Sequence, residues 1–287
     1  MASTTTPKKP DRPRLGRTAP ARVSRWSEGA REEREDRLAV EEPLEIRLAG
    51  KRVAVVMRSP GEDKELAPGF LFTEGILKDP WAISGIEPIP DPKNPWICNV
   101  IEVRLKPGAR VSRSGWQRNF AASSSCGLCG KLTIQSVHLH APAVQDDLEV
   151  SAEILYSLPE RLRAAQPGFD ATGGLHAAAL FDERGELLLV REDIGRHNAV
   201  DKIVGASLLA GQMPLSRRIL LVSGRASFEI VQKALMARIP FVAAVSAASQ
   251  LAVDLARSSA MGLAGFLRGS SMNLYSGESR VSAGPGE

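Results

Sequence analysis

Cys126-Gly127-Leu128-Cys129-Gly130 is the segment whose residue types and spacing most directly suggest chemistry. Cysteines at i and i+3 bring two sulfurs within reach of each other, and the flanking glycines let the backbone bend tightly while leaving the thiols accessible. Three chemistries share this spacing: half of a zinc site, a redox disulfide, and a thiolate that carries sulfur as a persulfide. Zinc requires two more ligands, and His138 and His140 could supply them from one face of a strand, although His-x-His is not a usual finger spacing. A thioredoxin-type site expects CxxC where a strand opens into a helix, whose N-terminus acidifies the first thiol. Here Ala121-Ala122-Ser123-Ser124-Ser125 precedes it instead, small residues that pack weakly and imply a mobile, exposed loop. The third cysteine, Cys98, falls in a strand pattern and reads as a small buried hydrophobe.

Four further segments carry groups suited to binding. Arg191-Glu192-Asp193-Ile194-Gly195-Arg196-His197-Asn198-Ala199-Val200-Asp201-Lys202 concentrates polar residues between apolar runs. His197 offers a proton near neutral pH, and Arg196 and Lys202 offer anion contacts, so a site competes here with a solvated turn. Ser223-Gly224-Arg225-Ala226-Ser227 lies between a strand and a helix, where α/β proteins bind anions on exposed backbone N–H groups, and Arg225 adds a phosphate fork. Thr172-Gly173-Gly174-Leu175-His176-Ala177-Ala178 is similar to the His-x-Glu segment of zinc nucleobase deaminases. The general acid/base position is held by Ala178, however, and the CxxC precedes the histidine instead of following it, which argues against a working deaminase while leaving a related α/β scaffold open. Gly265-Phe266-Leu267-Arg268-Gly269-Ser270-Ser271 ends a final strand in a basic, glycine-containing loop.

The elements that position these groups follow from hydrophobic period. Leu44–Leu48 and Val53–Met57 alternate about a turn at Ala49-Gly50-Lys51 and predict a hairpin; Leu66–Leu77 has helical spacing; Ile97–Leu105 alternates again. Ser151 caps a helix running to Leu162. Thereafter Ala177–Phe181 and Leu187–Val190 are strands about a turn, Asn198–Ala210 is a helix, Ile219–Val222 a strand, Phe228–Ala237 a helix, Phe241–Val245 a strand, Gln250–Met261 a helix and Gly265–Arg268 a short strand. This alternation predicts an α/β layer in the second half. The expected organisation is a disordered basic tail at 1–37, a small αβ domain at 38–120, the cysteine loop and its connection at 121–150, an α/β cofactor-binding domain at 151–275 and a flexible C-terminus at 276–287.

Composition excludes several classes. The 287 residues are 43% hydrophobic and 24% charged, long enough for a real core. The net charge of +4 sits entirely in residues 1–37, with ten basic against six acidic residues; the rest balances at 27 each, which argues against nucleic acid as a partner. The richest apolar stretch, Phe241–Ala256, contains Gln250 and Asp254, so no membrane span is expected. The N-terminus lacks an apolar core behind its basic residues, which implies a cytoplasmic protein, and three cysteines do not make a secreted disulfide framework.

Taken in order, Glu41–Leu44, Met57–Gly61, Glu65–Ala67, Gly69–Gly75, Cys126–Gly130, Thr172–His176, Arg191–Lys202, Ser223–Glu229 and Gly265–Arg268 closely resemble the FdhD family of sulfur carriers, accessory proteins for formate dehydrogenase. The match runs over roughly residues 38–275. The resemblance implies a cytidine deaminase-like α/β domain beside a smaller N-terminal αβ domain. It also implies that sulfur is accepted from a cysteine desulfurase and passed to the molybdenum (or tungsten) bis(molybdopterin guanine dinucleotide) cofactor of formate dehydrogenase, and that a homodimer forms. Carried over by position, Cys126 holds the persulfide, Cys129 assists or resolves it, and Phe266–Ser271 (Phe266, Leu267, Arg268, Gly269, Ser270, Ser271) contacts the cofactor. Arg196, His197 and Arg225 are the residues whose chemistry suits the dinucleotide phosphates. No permanently bound metal is expected.

Overall fold

The computed structural model describes residues 16–95, 97–109, 111, 120–121 and 141–283. Two sheets organise it. The smaller has five strands in the order β5-β6-β3-β4-β7, where β3 is Glu42–Leu48, β4 Lys51–Arg58, β5 Ile83–Ile89, β6 Val100–Leu105 and β7 Phe120–Ala121. The predicted hairpin is β3–β4, closed at Ala49-Gly50, both with positive φ (48° and 77°), the geometry a two-residue hairpin turn needs. Leu44, Ile46 and Leu48 point from β3 to one face, and helix α1 (Asp63–Thr73) covers them with Leu66, Phe70 and Leu71.

The larger sheet has six strands in the order β10-β9-β11-β12-β13-β14: β9 His176–Phe181, β10 Leu187–Asp193, β11 Ile219–Val222, β12 Phe241–Ala244, β13 Gly262–Arg268 and β14 Ser271–Ser276. The centre, β11-β12-β13, is parallel, and β9 and β14 run antiparallel on its flanks. Alternate side chains go to opposite faces. Leu180, Leu220, Val222, Val242 and Leu263 meet α4 (Arg196–Leu209), α5 (Phe228–Met236) and α6 (Gln250–Ser258). Phe181, Ile219, Leu221, Phe241 and Ala264 meet α2 (Ala152–Ala164), whose N-cap Ser151 accepts from Ile154 N as anticipated. A short helix, α3 (Pro167–Thr172), leads into β9. The chain is thus a mixed α/β fold with a central sheet between helical layers. None of its described helices is long and apolar enough to cross a membrane.

The sheets are joined through α4, which is buried along almost its whole length because the large sheet covers one side and α1 the other. At the α1–α4 crossing the backbones nearly touch. A β-carbon built on Gly69 would overlap the Asp201 carbonyl oxygen and lie 2.7 Å from its carbon; one built on Gly205 would overlap the Glu65 carbonyl in the same way. Only glycine permits this approach. Such close contact leaves no room for water around the polar residues of α4, so each must find a partner inside.

Three expectations are corrected. The supposed disordered tail is ordered from residue 16: β1 (Thr18–Ser27) pairs antiparallel with β2 (Ala30–Ala39). Its register sets Arg22 opposite Glu35 and Arg25 opposite Glu32, with a turn at Glu28-Gly29, both at positive φ. Summed charge hid this cross-strand complementarity. Residues 1–15 lie outside the described residues. The expected flexible C-terminus contains the end of β14, a 3-10 turn at Glu278–Arg280 and β15 (Val281–Ser282), which pairs with β8 (Val150–Ser151). Arg280 anchors it by donating to the carbonyls of Asp146 (2.8 Å) and Ala260 (3.1 Å). Cys98 precedes β6 and is half-buried, not sealed in a strand.

Candidate functional site

The carboxyl ends of β10, β11, β12 and β13 and the start of β9 share one edge of the large sheet, because β9 runs opposite to its neighbours. That edge carries His176, the start of α4 with Arg196 and His197, the Ser223–Ser227 loop, the Val245–Ser249 loop and the Phe266–Ser271 segment. In α/β sheets the loops beyond the carboxyl ends of parallel strands are the usual place for ligands. The assigned binding residues are therefore brought to one edge. Adjacent strands are about 4.8 Å apart, so β11 and β13 lie about 10 Å apart.

The loops are tied by backbone bonds that make this edge stiff. Val245 N donates to Val222 O (3.1 Å), Ala226 N to Ala247 O (3.0 Å), Ser249 N to Ala226 O (3.0 Å) and Phe266 N to Ser246 O (3.0 Å). Ser223 Oγ accepts from Ala177 N (2.9 Å), locking the β11 loop to β9. Arg268 Nε donates to Val245 O (3.1 Å). Phe266 has φ 52° and an exposed ring, whereas the side chain of Leu267 is fully buried beneath the sheet, so only its backbone can meet a ligand.

His176, Arg196, His197 and Arg225 sit close enough to act on one another electrostatically. Burial, reinforced by the charges of Arg196, His197 and Arg225, holds the His176 imidazole below its ordinary value, with Asp193 opposing. His176 is therefore neutral at pH 7, beside two permanent cations. Gly224 makes the approach possible: a β-carbon there would lie 3.3 Å from His176 Nδ1 and 3.6 Å from Arg196 Cδ. His197 Nε2 lies 3.1 Å from Glu229 Oε2 and 3.4 Å from Ser227 Oγ. Glu229 occupies the first turn of α5, where a carboxylate suits the helix dipole, and it fixes the imidazole from below. The arrangement can hold an anionic ligand and keep its guanidinium and imidazole donors oriented.

Most of the Arg191–Lys202 motif does something else. Arg191 forks onto Glu65 of α1 at 2.5 and 2.8 Å. Glu192 accepts from Gly168 N and Phe169 N, both at 2.8 Å, capping α3 in the way a side chain at its N-terminus would. Asp193, fully buried, pairs with Lys202 at 2.8 Å. Asp201 accepts from Thr73 Oγ1 (2.6 Å) and Lys233 Nζ (2.9 Å), and Glu74 also accepts from Lys233 (3.0 Å). Burial would lower the Lys233 ammonium, but the Asp201 and Glu74 carboxylates outweigh it and hold the group above the usual lysine range. So the motif is neither wholly a site nor a solvated turn: Arg196 and His197 face the strand ends, and their neighbours clamp α1 to α4. Lys202 is sealed in that clamp, so the anion contact expected of it is unavailable.

Cys126, Cys129, His138 and His140 lie outside the described residues. Among the described residues there is no group of three or more histidine, cysteine or acidic side chains that could hold a metal. Two contributors went unassigned from sequence, His176 and Glu229. Both stand inside segments with a recognisable pattern, but nothing in a one-dimensional pattern places Glu229 under His197, 32 residues earlier.

Comparison with known proteins places the whole chain. Residues 39–282 match the model of the FdhD/NarQ family. A chain from Streptomyces avermitilis named sulfur carrier protein FdhD is 53% identical over 275 residues, covering 93% of this chain and 97% of its own. Chains of the same name from Mycobacterium tuberculosis (48% identical; 92% and 98% covered) and Saccharolobus solfataricus (44%; 86% and 91%) are also similar. The crystal structure of a candidate formate dehydrogenase accessory protein from Desulfotalea psychrophila has the same fold, with TM-score 0.73 and 23% identity over 92% of this chain and 99% of that one. With its strand-end loops, its clamped α4 and its near full-length similarity to these chains, the protein belongs to the FdhD/NarQ family.

Proposed function

We propose that this protein is a sulfur carrier that serves formate dehydrogenase by delivering sulfur to its pterin cofactor. The carrying observation is near full-length similarity to chains named sulfur carrier proteins, 53% identical across 93% of the sequence. In this reading the Cys126 thiolate attacks the outer sulfur of a persulfide on a cysteine desulfurase. A new S–S bond forms at Cys126, the donor's own S–S bond breaks, and the electron pair leaves with the donor cysteine as thiolate. Cys129 then resolves or protects the persulfide. The substrate that receives the sulfur, a molybdenum or tungsten bis(molybdopterin guanine dinucleotide), is rich in phosphate. Arg196, His197 and Arg225 are the groups that bind it, with Phe266 and Arg268–Ser271 and the backbone of Leu267 on the β13 side.

The path of the described chain up to Ala121 supports this reading. β7 runs parallel to β4, with Ala121 opposite Val55, so the chain leaves β7 toward Ser59. Ser59 N in turn donates to Asp193 at 3.2 Å, next to the start of α4. Cys126 is five residues beyond Ala121 in the sequence. The sheet order, with parallel strands flanked by antiparallel ones, also suits the cytidine deaminase-like scaffold. A cytoplasmic location, where thiols stay reduced, and a homodimer complete the reading.

The test is intact-mass analysis after incubation with a cysteine desulfurase and cysteine, with and without reductant. A reductant-labile gain of one sulfur atom, absent in Cys126→Ala, is the expected result. No gain would reject sulfur transfer and favour a binding chaperone that delivers cofactor without touching sulfur. Stoichiometric zinc lost on His138→Ala would favour a metal module instead.

A further inference from the structure

We propose that Asp193 is a positioning residue whose two carboxylate oxygens, each receiving two hydrogen bonds, fix the first turn of α4 so that Arg196 and His197 face the strand-end site. This rests on the reading above, in which Arg196 and His197 contact the phosphate-bearing substrate. The α4 N-cap is Gly195, which has no side chain to cap the helix. Asp193 does that work from two residues upstream. Its Oδ1 accepts from Gly195 N (2.8 Å) and from Asn198 Nδ2 (2.9 Å). Its Oδ2 accepts from Ser59 N (3.2 Å) and Lys202 Nζ (2.8 Å). Asn198 Nδ2 also donates to Met57 O (2.7 Å), and Ser59 Oγ accepts from Ile194 N (3.1 Å).

The turn is therefore held from two sides. The β4–α1 connection grips it through Ser59 and Met57, and Lys202 grips it from one turn further along α4. No slack remains, because a β-carbon on Gly195 would fall 2.7 Å from Asn198 Nδ2. The arrangement consumes all the acceptor capacity of an ionised aspartate facing donors only, which an amide cannot imitate. Asp193 also stands opposite His176 in the β9–β10 register, so one buried charge orders the flanks of both imidazoles. The N-terminal unit thereby sets the geometry of a site to which, among the described residues, it contributes no ligand-facing side chain.

The test measures binding of guanosine diphosphate by calorimetry, together with the imidazole resonances of His176 and His197, in the full-length protein. Four variants are compared: Asn198→Ala, Ser59→Ala, Arg196→Ala and Thr73→Ala. Asn198→Ala releases the turn while keeping the Asp193–Lys202 pair, and it is expected to weaken binding about five- to tenfold and to shift the His197 resonances. Ser59→Ala removes a single hydroxyl, keeps the fold, and is expected to act in the same direction by about threefold. Thr73→Ala, a comparable loss further down the same helix pair, is expected to cost stability without moving affinity or resonances. Arg196→Ala reports on the underlying reading. If Arg196→Ala weakens binding but Asn198→Ala and Ser59→Ala leave affinity and resonances unchanged, the positioning role is overturned. If Arg196→Ala itself changes nothing, the assignment of the site fails, and with it this inference.

Discussion

Gly69 and Gly205 provide the sharpest test of how the two halves are joined. Replacing a helical glycine by alanine normally stabilises by about 0.5–1 kcal/mol, because alanine loses less backbone entropy. Here the opposite sign is expected. The added β-carbon at Gly69 would overlap the Asp201 carbonyl oxygen and sit 2.7 Å from its carbon and 2.8 Å from Gly205 N. Non-bonded carbon contacts settle near 3.5–4.0 Å, so α1 and α4 must part by about 1 Å. A gap of that size forfeits roughly a quarter to a half of the dispersion attraction along the crossing. Overpacking itself costs about 1–3 kcal/mol. It also stretches the Thr73–Asp201 and Arg191–Glu65 bonds, each worth about 1 kcal/mol or more. After subtracting the propensity gain, Gly69→Ala should cost about 3 kcal/mol, a fall in Tm of about 6–12 °C for a chain of this size. Gly205→Ala should behave alike. Because a single displacement relieves both overlaps, the double variant should cost clearly less than the sum. Urea unfolding followed by circular dichroism measures all three. A Gly69→Ala protein as stable as the parent, or strictly additive double-variant costs, would refute the close-packed crossing.

Two other outcomes follow from buried charge. Lys233→Met leaves Asp201 and Glu74 without their cation and should destabilise by about 3–5 kcal/mol at pH 7. Burial already raises the Asp201 carboxyl, and removing Lys233 raises it further; since a raised folded-state acid contributes stability in its protonated form, the deficit should shrink as pH falls and grow as pH rises. Equal deficits at pH 5 and pH 8 in denaturant titrations would contradict this. For His176 the sign is reversed. Its imidazole is held below the ordinary 6.5, so the unfolded chain takes up the proton first, and stability present above 6.5 should be lost as pH falls through the lowered folded value. The stability difference between the parent and His176→Gln should therefore narrow below pH 6.5, and a flat difference would exclude a half-buried His176 held below its ordinary value.

Local pattern carried much of the architecture. The β3–β4 hairpin, the Ser151-capped α2 and the alternation of β11, α5, β12 and α6 were legible because each buries a single face with a regular period, and that period is written in neighbouring residues. The β1–β2 ribbon was not, since its pairing depends on cross-strand charge register and on a left-handed Glu28-Gly29 turn, neither visible in composition. At the candidate site, residue types alone offered Arg196, Lys202 and Arg225 as anion contacts and His197 as a proton donor, and the order of motifs pointed to the family. Only the tertiary structure divided the Arg191–Lys202 motif into two residues at the strand-end edge, Arg196 and His197, and an interior clamp. The physical reason lies in α4 and the end of β10 that leads into it: α4 is packed between a sheet and a second helix at glycine distance, so the polar side chains of Arg191, Asp193 and Asp201 are matched to Glu65, Ser59, Thr73 and Lys233. Those partners stand from 32 to 134 residues away along the chain, and no local pattern encodes such separations.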